Sequence, residues 1–354
     1  MGLFGSDNYS GVHPLVLEEM QRVNVGHVPA YGSDPYTAEA VEIMRGHLGE
    51  DCDVEFVFNG TGSNVLALSA ILRSYEGVLA PSVAHIYNDE CGALEHISGN
   101  KIVAVPSTDG KITPAHIAPF LPYIDFMHSV PPKVISISNA TEMGRTYAPE
   151  DIRALTDFAH QHKLLVHCDA TRLANTAAAL GLGIGDLAGR AGIDAMSLGG
   201  TKNGMMGAEA IVLFGDARTE WIFRLRKSVG QLASKMRFIA AQYTAMYRGD
   251  LWLECATQAN TVARYLDAGL RQRGLAPDFP VEANEIFVRL PKAALRPVHE
   301  EFKTVIMDRE TGLIRMVASW DSTTADADRF FDLLDRTIEA HRSEVAGELT
   351  NDRQ

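Results

Sequence analysis

Up to about residue 215, short apolar runs alternate with segments of helical period. Val54-Glu55-Phe56-Val57-Phe58 predicts a strand, followed by the small-residue turn Asn59-Gly60-Thr61-Gly62-Ser63 and a helix over residues 64–73. Further strands are expected at Gly77-Val78-Leu79-Ala80, Ile102-Val103-Ala104-Val105 and Lys133-Val134-Ile135-Ser136-Ile137-Ser138. Residues 163–168, 195–198 and 210–214 complete the series, and a helix opened by Pro149-Glu150-Asp151 precedes the first of these. Strands alternating with helices predict an α/β unit with a mostly parallel sheet. Its ligands belong at the carboxyl ends of the strands.

Beyond about residue 219 the pattern turns helical as far as Arg273, broken at Arg248-Gly249-Asp250. Strand-like runs over 280–288 and 313–318, then a helix over about 325–346, predict a small α+β unit. The expected division is a large domain with an N-terminal arm over 1–250 and a small domain over 251–354, with the tail from Thr350 frayed. Length agrees with two domains, since 354 residues exceed what one hydrophobic core usually supports.

A formal charge of −13 argues against nucleic acid as a partner, because phosphate backbones require a net basic face. It leaves room for small anions, which a few clustered arginines suffice to hold. No segment approaches the roughly 20 apolar residues of a membrane span, and the start of the chain lacks the basic and apolar regions of a secretory signal. The four cysteines, Cys52, Cys91, Cys168 and Cys255, form no C-x-x-C pair. A cytoplasmic protein with reduced thiols is expected.

Two stretches carry candidate chemistry. Ser197-Leu198-Gly199-Gly200-Thr201-Lys202-Asn203-Gly204 places a lysine in a tight polar loop after a strand, and Val166-His167-Cys168-Asp169-Ala170-Thr171-Arg172 ends another strand on an aspartate. Alone, Lys202 reads as a surface lysine and Asp169 as a helix cap. Together they are the equipment for pyridoxal 5'-phosphate (PLP): a lysine amine forms the Schiff base, and a carboxylate keeps the pyridine nitrogen protonated. The turn Asn59-Gly60-Thr61-Gly62 at a helix N-terminus suits a phosphate, and no Gly-Lys-Ser/Thr follows to make it a nucleotide loop. His85 is either a satisfied polar residue or a ring that stacks on the pyridine and relays protons. His85, Asp89 and Glu90 also invite a metal reading, but nothing completes the set with diagnostic spacing, so no metal is expected.

Beyond these motifs, Ser6-Asp7-Asn8-Tyr9-Ser10-Gly11, Tyr31-Gly32-Ser33-Asp34, Asp89-Glu90-Cys91-Gly92-Ala93, residues 230–238, residues 280–284 and Ser319-Trp320-Asp321 follow one another along the chain. With them the sequence resembles the threonine aldolase family of fold-type I PLP enzymes, within the β-eliminating lyase group, nearest the bacterial low-specificity L-threonine and phenylserine aldolases. The resemblance implies that Lys202 forms the Schiff base, Asp169 pairs with the ring nitrogen and His85 stacks on the ring. Gly60, Thr61 and Gly62 would hold the phosphate, with Thr201 beside the cofactor. Ser6, Arg172 and Arg315 would clamp the substrate carboxylate, Arg172 also bordering the cofactor, and His128 would approach the β-hydroxyl. Tyr31, Lys227 and Arg237 would reach the cofactor site of a neighbouring subunit in a homotetramer built as a dimer of dimers.

Two departures stand out. Asp169-Ala170-Thr171-Arg172 replaces the family's Asp-Gly-Ala-Arg, and Asn139-Ala140-Thr141-Glu142-Met143-Gly144 replaces Glu-Asn-Thr-His-Asn-Gly, which loses a histidine. The expected reaction is retro-aldol cleavage of a β-hydroxy-α-amino acid to glycine and an aldehyde, with His85 or His128 taking the β-hydroxyl proton. Two alternatives stay open. One is β-elimination, racemisation or transamination on the same fold, and the other is a PLP fold that has lost catalysis.

Overall fold

The computed structural model describes residues 2–351, with side-chain surroundings through residue 340. Its central sheet holds β1 (Cys52–Val57), β2 (Gly77–Pro81), β3 (Lys101–Val105), β4 (Pro132–Ser138), β5 (Leu165–Ala170), β6 (Ala195–Gly199) and β7 (Glu209–Phe214). The spatial order is β1-β7-β6-β5-β4-β2-β3. All neighbours pair in parallel except at β7, which runs against both β1 and β6. The connection over residues 200–208 explains the exception. A parallel crossover needs a dozen or more residues.

β7 is buried along its whole length and β5 along all but its first residue, as expected of strands covered on both faces. Leu79, Ile135, Ile137, Val166, Cys168, Met196 and Val212 pack into the main core with residues of the flanking helices. Each such aliphatic side chain contributes about 1.5–3 kcal/mol on burial. The helix Gly60–Ile71 begins earlier than its apolar pattern suggests, because Asn59 caps it: Asn59 Oδ1 accepts the Gly62 N–H at 2.8 Å.

The C-terminal sheet is β8 (Glu285–Arg289), β9 (Val305–Asp308) and β10 (Leu313–Val317) in the order β8-β10-β9. β9 was not foreseen. Its four residues are too few to show a period. The strand run expected from residue 280 begins only at Glu285, and the last helix, Thr324–Asn351, is longer than its pattern. That helix includes Thr350, so the expected frayed tail lies within it and, for residues 352–354, outside the described residues. The helix Leu251–Gln272 serves both cores: Leu251, Trp252, Cys255 and Ala256 join the large one, and Val262, Ala263, Leu266 and Leu270 the small one. Phe4, from the opposite end of the chain, is also buried in the small core. Among the described residues no helix is long and apolar enough to cross a membrane.

Candidate active site

The chemistry-bearing residues gather at one end of the main sheet. Asn59 follows β1, His85 follows β2, Glu142 follows β4, Asp169 is the last residue but one of β5 and Lys202 follows β6. Parallel strands present their carboxyl ends together, so residues far apart in sequence converge there. Two cavities meet at this edge and share Asn8, His85 and Lys202. One, of about 380 Å³, is lined by Gly60, Thr61, Asn64, Glu90, Asp169, Thr201 and Glu209 among others. The second, of about 480 Å³, is lined by Ser6, Glu142, Arg172, Glu285 and Arg315. A larger cavity of about 640 Å³ lies at the amino ends of the parallel strands, between Asp51, His160 and Asp194, and contains none of these groups.

Lys202 sits in a short 3₁₀ turn, Thr201–Asn203, and has no hydrogen bond or ion pair among the described residues. The chain reverses tightly here: Gly204 has φ +100, and a Cβ on Gly199 would meet the Thr171 backbone at 2.6 Å. Asp169 is held by Thr171, whose N–H and Oγ1 donate to Oδ1 at 3.1 and 2.5 Å, and by Asn64 Nδ2 at 2.9 Å from Oδ2. Burial alone would raise its carboxyl. The donations from Thr171 and Asn64, with His85 and Lys202 nearby, outweigh that and hold it below the usual range. Thr171, the departure noted in the sequence, therefore supports Asp169.

The turn after β1 keeps two amides open. Asn59 takes the amides of Gly62 and Ser63, which leaves Gly60 and Thr61 as the free donors of this helix terminus. A Cβ on Gly62 would displace the Gln231 side chain, whose Oε1 accepts the Phe58 N–H at 3.0 Å. Gly62 thus shapes the turn and does not line the cavity.

His85 gives its Nδ1 edge to Glu90 Oε1 at 2.8 Å, and Asn64 Nδ2 donates to the same oxygen at 2.8 Å. The bond to Glu90 raises the imidazole above its ordinary value. The candidate metal-ligand atoms of His85, Glu90 and Asp169 lie within 4.8 Å of one another. Asn64 and these mutual bonds already occupy them. Burial pushes Glu142 and Glu209 up to about 7. Glu142 Oε1 accepts from His85 N at 2.8 Å and Ser138 Oγ at 2.6 Å, and its Oε2 is buried without a partner.

Arg172 donates side-on to Asp7 through Nε and Nη2 at 2.8 and 3.1 Å, and its Nη1 lies 3.4 Å from Glu285. Among the described residues Arg315 makes only a 3.4 Å contact, to the Gly5 carbonyl, and its Nε has no partner. Other expected residues stand apart within one chain. His128 is exposed, packs edge-on against Phe126 and lines neither cavity. Lys227 sits over the Tyr31 ring at 4.9 Å, and Arg237 bonds the Val25 carbonyl, both away from Lys202. Glu142, Glu209 and Glu285 were not picked out as site residues in the sequence. Only the loss of the family's histidine at Glu142 signalled any of them.

A family model described as "Beta-eliminating lyase" matches residues 4–293. A low-specificity L-threonine aldolase of a Pseudomonas species is 39% identical over 327 residues, covering 91% of this chain and 94% of that protein. A threonine aldolase structure from Leishmania major superposes with a TM-score of 0.90 at 30% identity, over 95% of this chain and 99% of the other. An aspartate aminotransferase of Thermus thermophilus, at 16% identity and a TM-score of 0.66 over 93% and 89% of the two chains, shares the fold.

Proposed function

Because the chain belongs to the β-eliminating lyase family, in its threonine aldolase branch, we propose that it cleaves β-hydroxy-α-amino acids to glycine and an aldehyde. L-Threonine, L-allo-threonine and phenylserine are the substrates in view. One observation carries this reading. Lys202 lies where an anion cradle at one cavity meets an arginine cluster at the next.

The residues fit PLP: an unpartnered amine, an aspartate held ionised, and two open amides at a helix terminus. Lys202 would hold the cofactor aldehyde, Asp169 its ring nitrogen, Gly60 and Thr61 with Thr201 its phosphate, and His85 would cover the ring. PLP supplies an electron sink for the bonding pair left on the substrate Cα. Ser6, Arg172 and Arg315 hold the α-carboxylate, and that anchoring fixes which bond at Cα is presented for cleavage. His85, with Nδ1 fixed by Glu90, keeps Nε2 for the β-hydroxyl proton. His128 lines neither cavity, so we assign the proton to His85. Tyr31, Lys227 and Arg237 complete the site of a neighbouring copy in a homotetramer built as a dimer of dimers.

Supplying L-threonine to PLP-loaded protein should yield acetaldehyde and glycine in equal amounts. Lys202→Ala should abolish multiple turnover. Undiminished turnover by that variant would remove Lys202 from the mechanism. Pyruvate and ammonia in place of glycine would mean β-elimination.

A further inference from the structure

Glu285 opens β8 and shares one face of it with Phe287, which pairs across to Arg315 of β10. All three line the cavity that holds Ser6 and Arg172. The Glu285 side chain is 1% exposed, yet neither of its oxygens accepts a hydrogen bond. Its nearest cation is Arg172, at 3.4 Å. Arg172 is already matched by Asp7, which is itself supported by Asn284 Nδ2 at 3.2 Å. Neutralising Arg172 therefore does not account for Glu285. A buried carboxyl without donors persists in a fold only where something offsets its desolvation.

The charged groups acting on Glu285 are Asp7 from the N-terminal segment, Arg172 after β5, Lys202 after β6 and Arg315 from β10. Glu142, from the segment after β4, lines the same cavity, and Gly144 of that segment packs on the Glu285 side chain. An arriving α-carboxylate would be a third anionic group, with Asp7 and Glu285, set against two guanidiniums.

Resting on the amino-acid reading above, we propose that Glu285 competes with the substrate carboxylate for Arg172 and Arg315, and takes up a solvent proton when the amino acid binds. Glu285 then sets how tightly glycine and β-hydroxy-α-amino acids are held. Burial supports this, since it pushes the Glu285 carboxyl above its ordinary value despite the two arginines.

The test is glycine binding to PLP-loaded wild type and Glu285→Gln from acidic to alkaline pH, followed by cofactor absorbance and by calorimetry. The variant keeps the shape and removes the charge. Glycine should bind the variant more tightly. The ratio of the two Kd values should approach one where wild-type Glu285 is protonated, and grow by up to about tenfold per pH unit above that. Calorimetry in buffers of different ionisation enthalpy should show more protons taken up per glycine by the wild type. Glu285→Met should shift affinity in the same direction, which separates loss of charge from any property of the amide. Equal or weaker binding by both variants, or a ratio independent of pH, overturns the proposal while leaving the amino-acid reading intact. Failure of the PLP-loaded wild type to bind glycine at any pH overturns both.

Discussion

His85 lines both cavities, and one bond decides which of its nitrogens is left free. Glu90 Oε1, also bonded by Asn64, accepts from Nδ1, so the proton sits on Nδ1 and Nε2 keeps its lone pair. A base works in its deprotonated form. Glu90 raises the imidazole, so with His85 as the proposed base the acid limb of the pH–rate profile should lie above the ordinary histidine position. Glu90→Gln should move the inflection in kcat/KM for L-threonine to lower pH. A lower rate with an unmoved inflection would make Glu90 a packing residue only. Lys202 and Asp169 were legible in the sequence because glycines and a strand end mark their surroundings. Asn64 and Glu285 were not, since the meaning of each lies in partners more than 100 positions away: Asp169 for Asn64, and Arg172 for Glu285.

Strand order was the part of the fold that local pattern could not supply. The runs 133–138, 163–168 and 195–198 were recognisable as strands, but the neighbours of each are set by long-range packing. In the folded sheet they lie side by side, and His167 of β5 bonds Ser136 of β4 at 2.9 Å and Ser197 of β6 at 3.1 Å. Burial pushes this imidazole down to about 4, against an ordinary value of 6.5. The fold therefore prefers the neutral ring. Its contribution is fully present above about pH 6.5 and is lost as pH falls from there toward about 4. The shift corresponds to roughly 3 kcal/mol. Urea unfolding of wild type and His167→Asn should show the stability gap between them narrowing by about that amount over this window. A gap that stays constant with pH would mean that His167 titrates alike in both states. β7 was likewise readable as a strand, but its reversed direction followed only from the shortness of residues 200–208.

At the scale of the molecule, the chain's ends and middle are tied through shared cores. Phe4 stacks on Phe302 at 5.6 Å, and its backbone bonds Phe302 and Val317, so the segment bearing Ser6 and Asp7 is fixed to the small sheet that carries Arg315. One chain thus brings Ser6, Arg172 and Arg315 to one cavity by itself. It does not bring Tyr31, Lys227 or Arg237 to that site, and it leaves Trp221 66% and Phe223 50% exposed on the segment that carries Lys227. An isolated surface with such aromatics is expected to be covered. If copies of the chain share sites, a Lys202→Ala subunit and an Arg237→Ala subunit carry complementary lesions. In a hybrid dimer one site has both defects and the other has neither. Each variant alone should be inactive; random mixing makes half of the dimers hybrid, so the mixture should recover about a quarter of wild-type activity. No recovery, with subunit exchange confirmed by mass, would place Arg237 outside the partner's site.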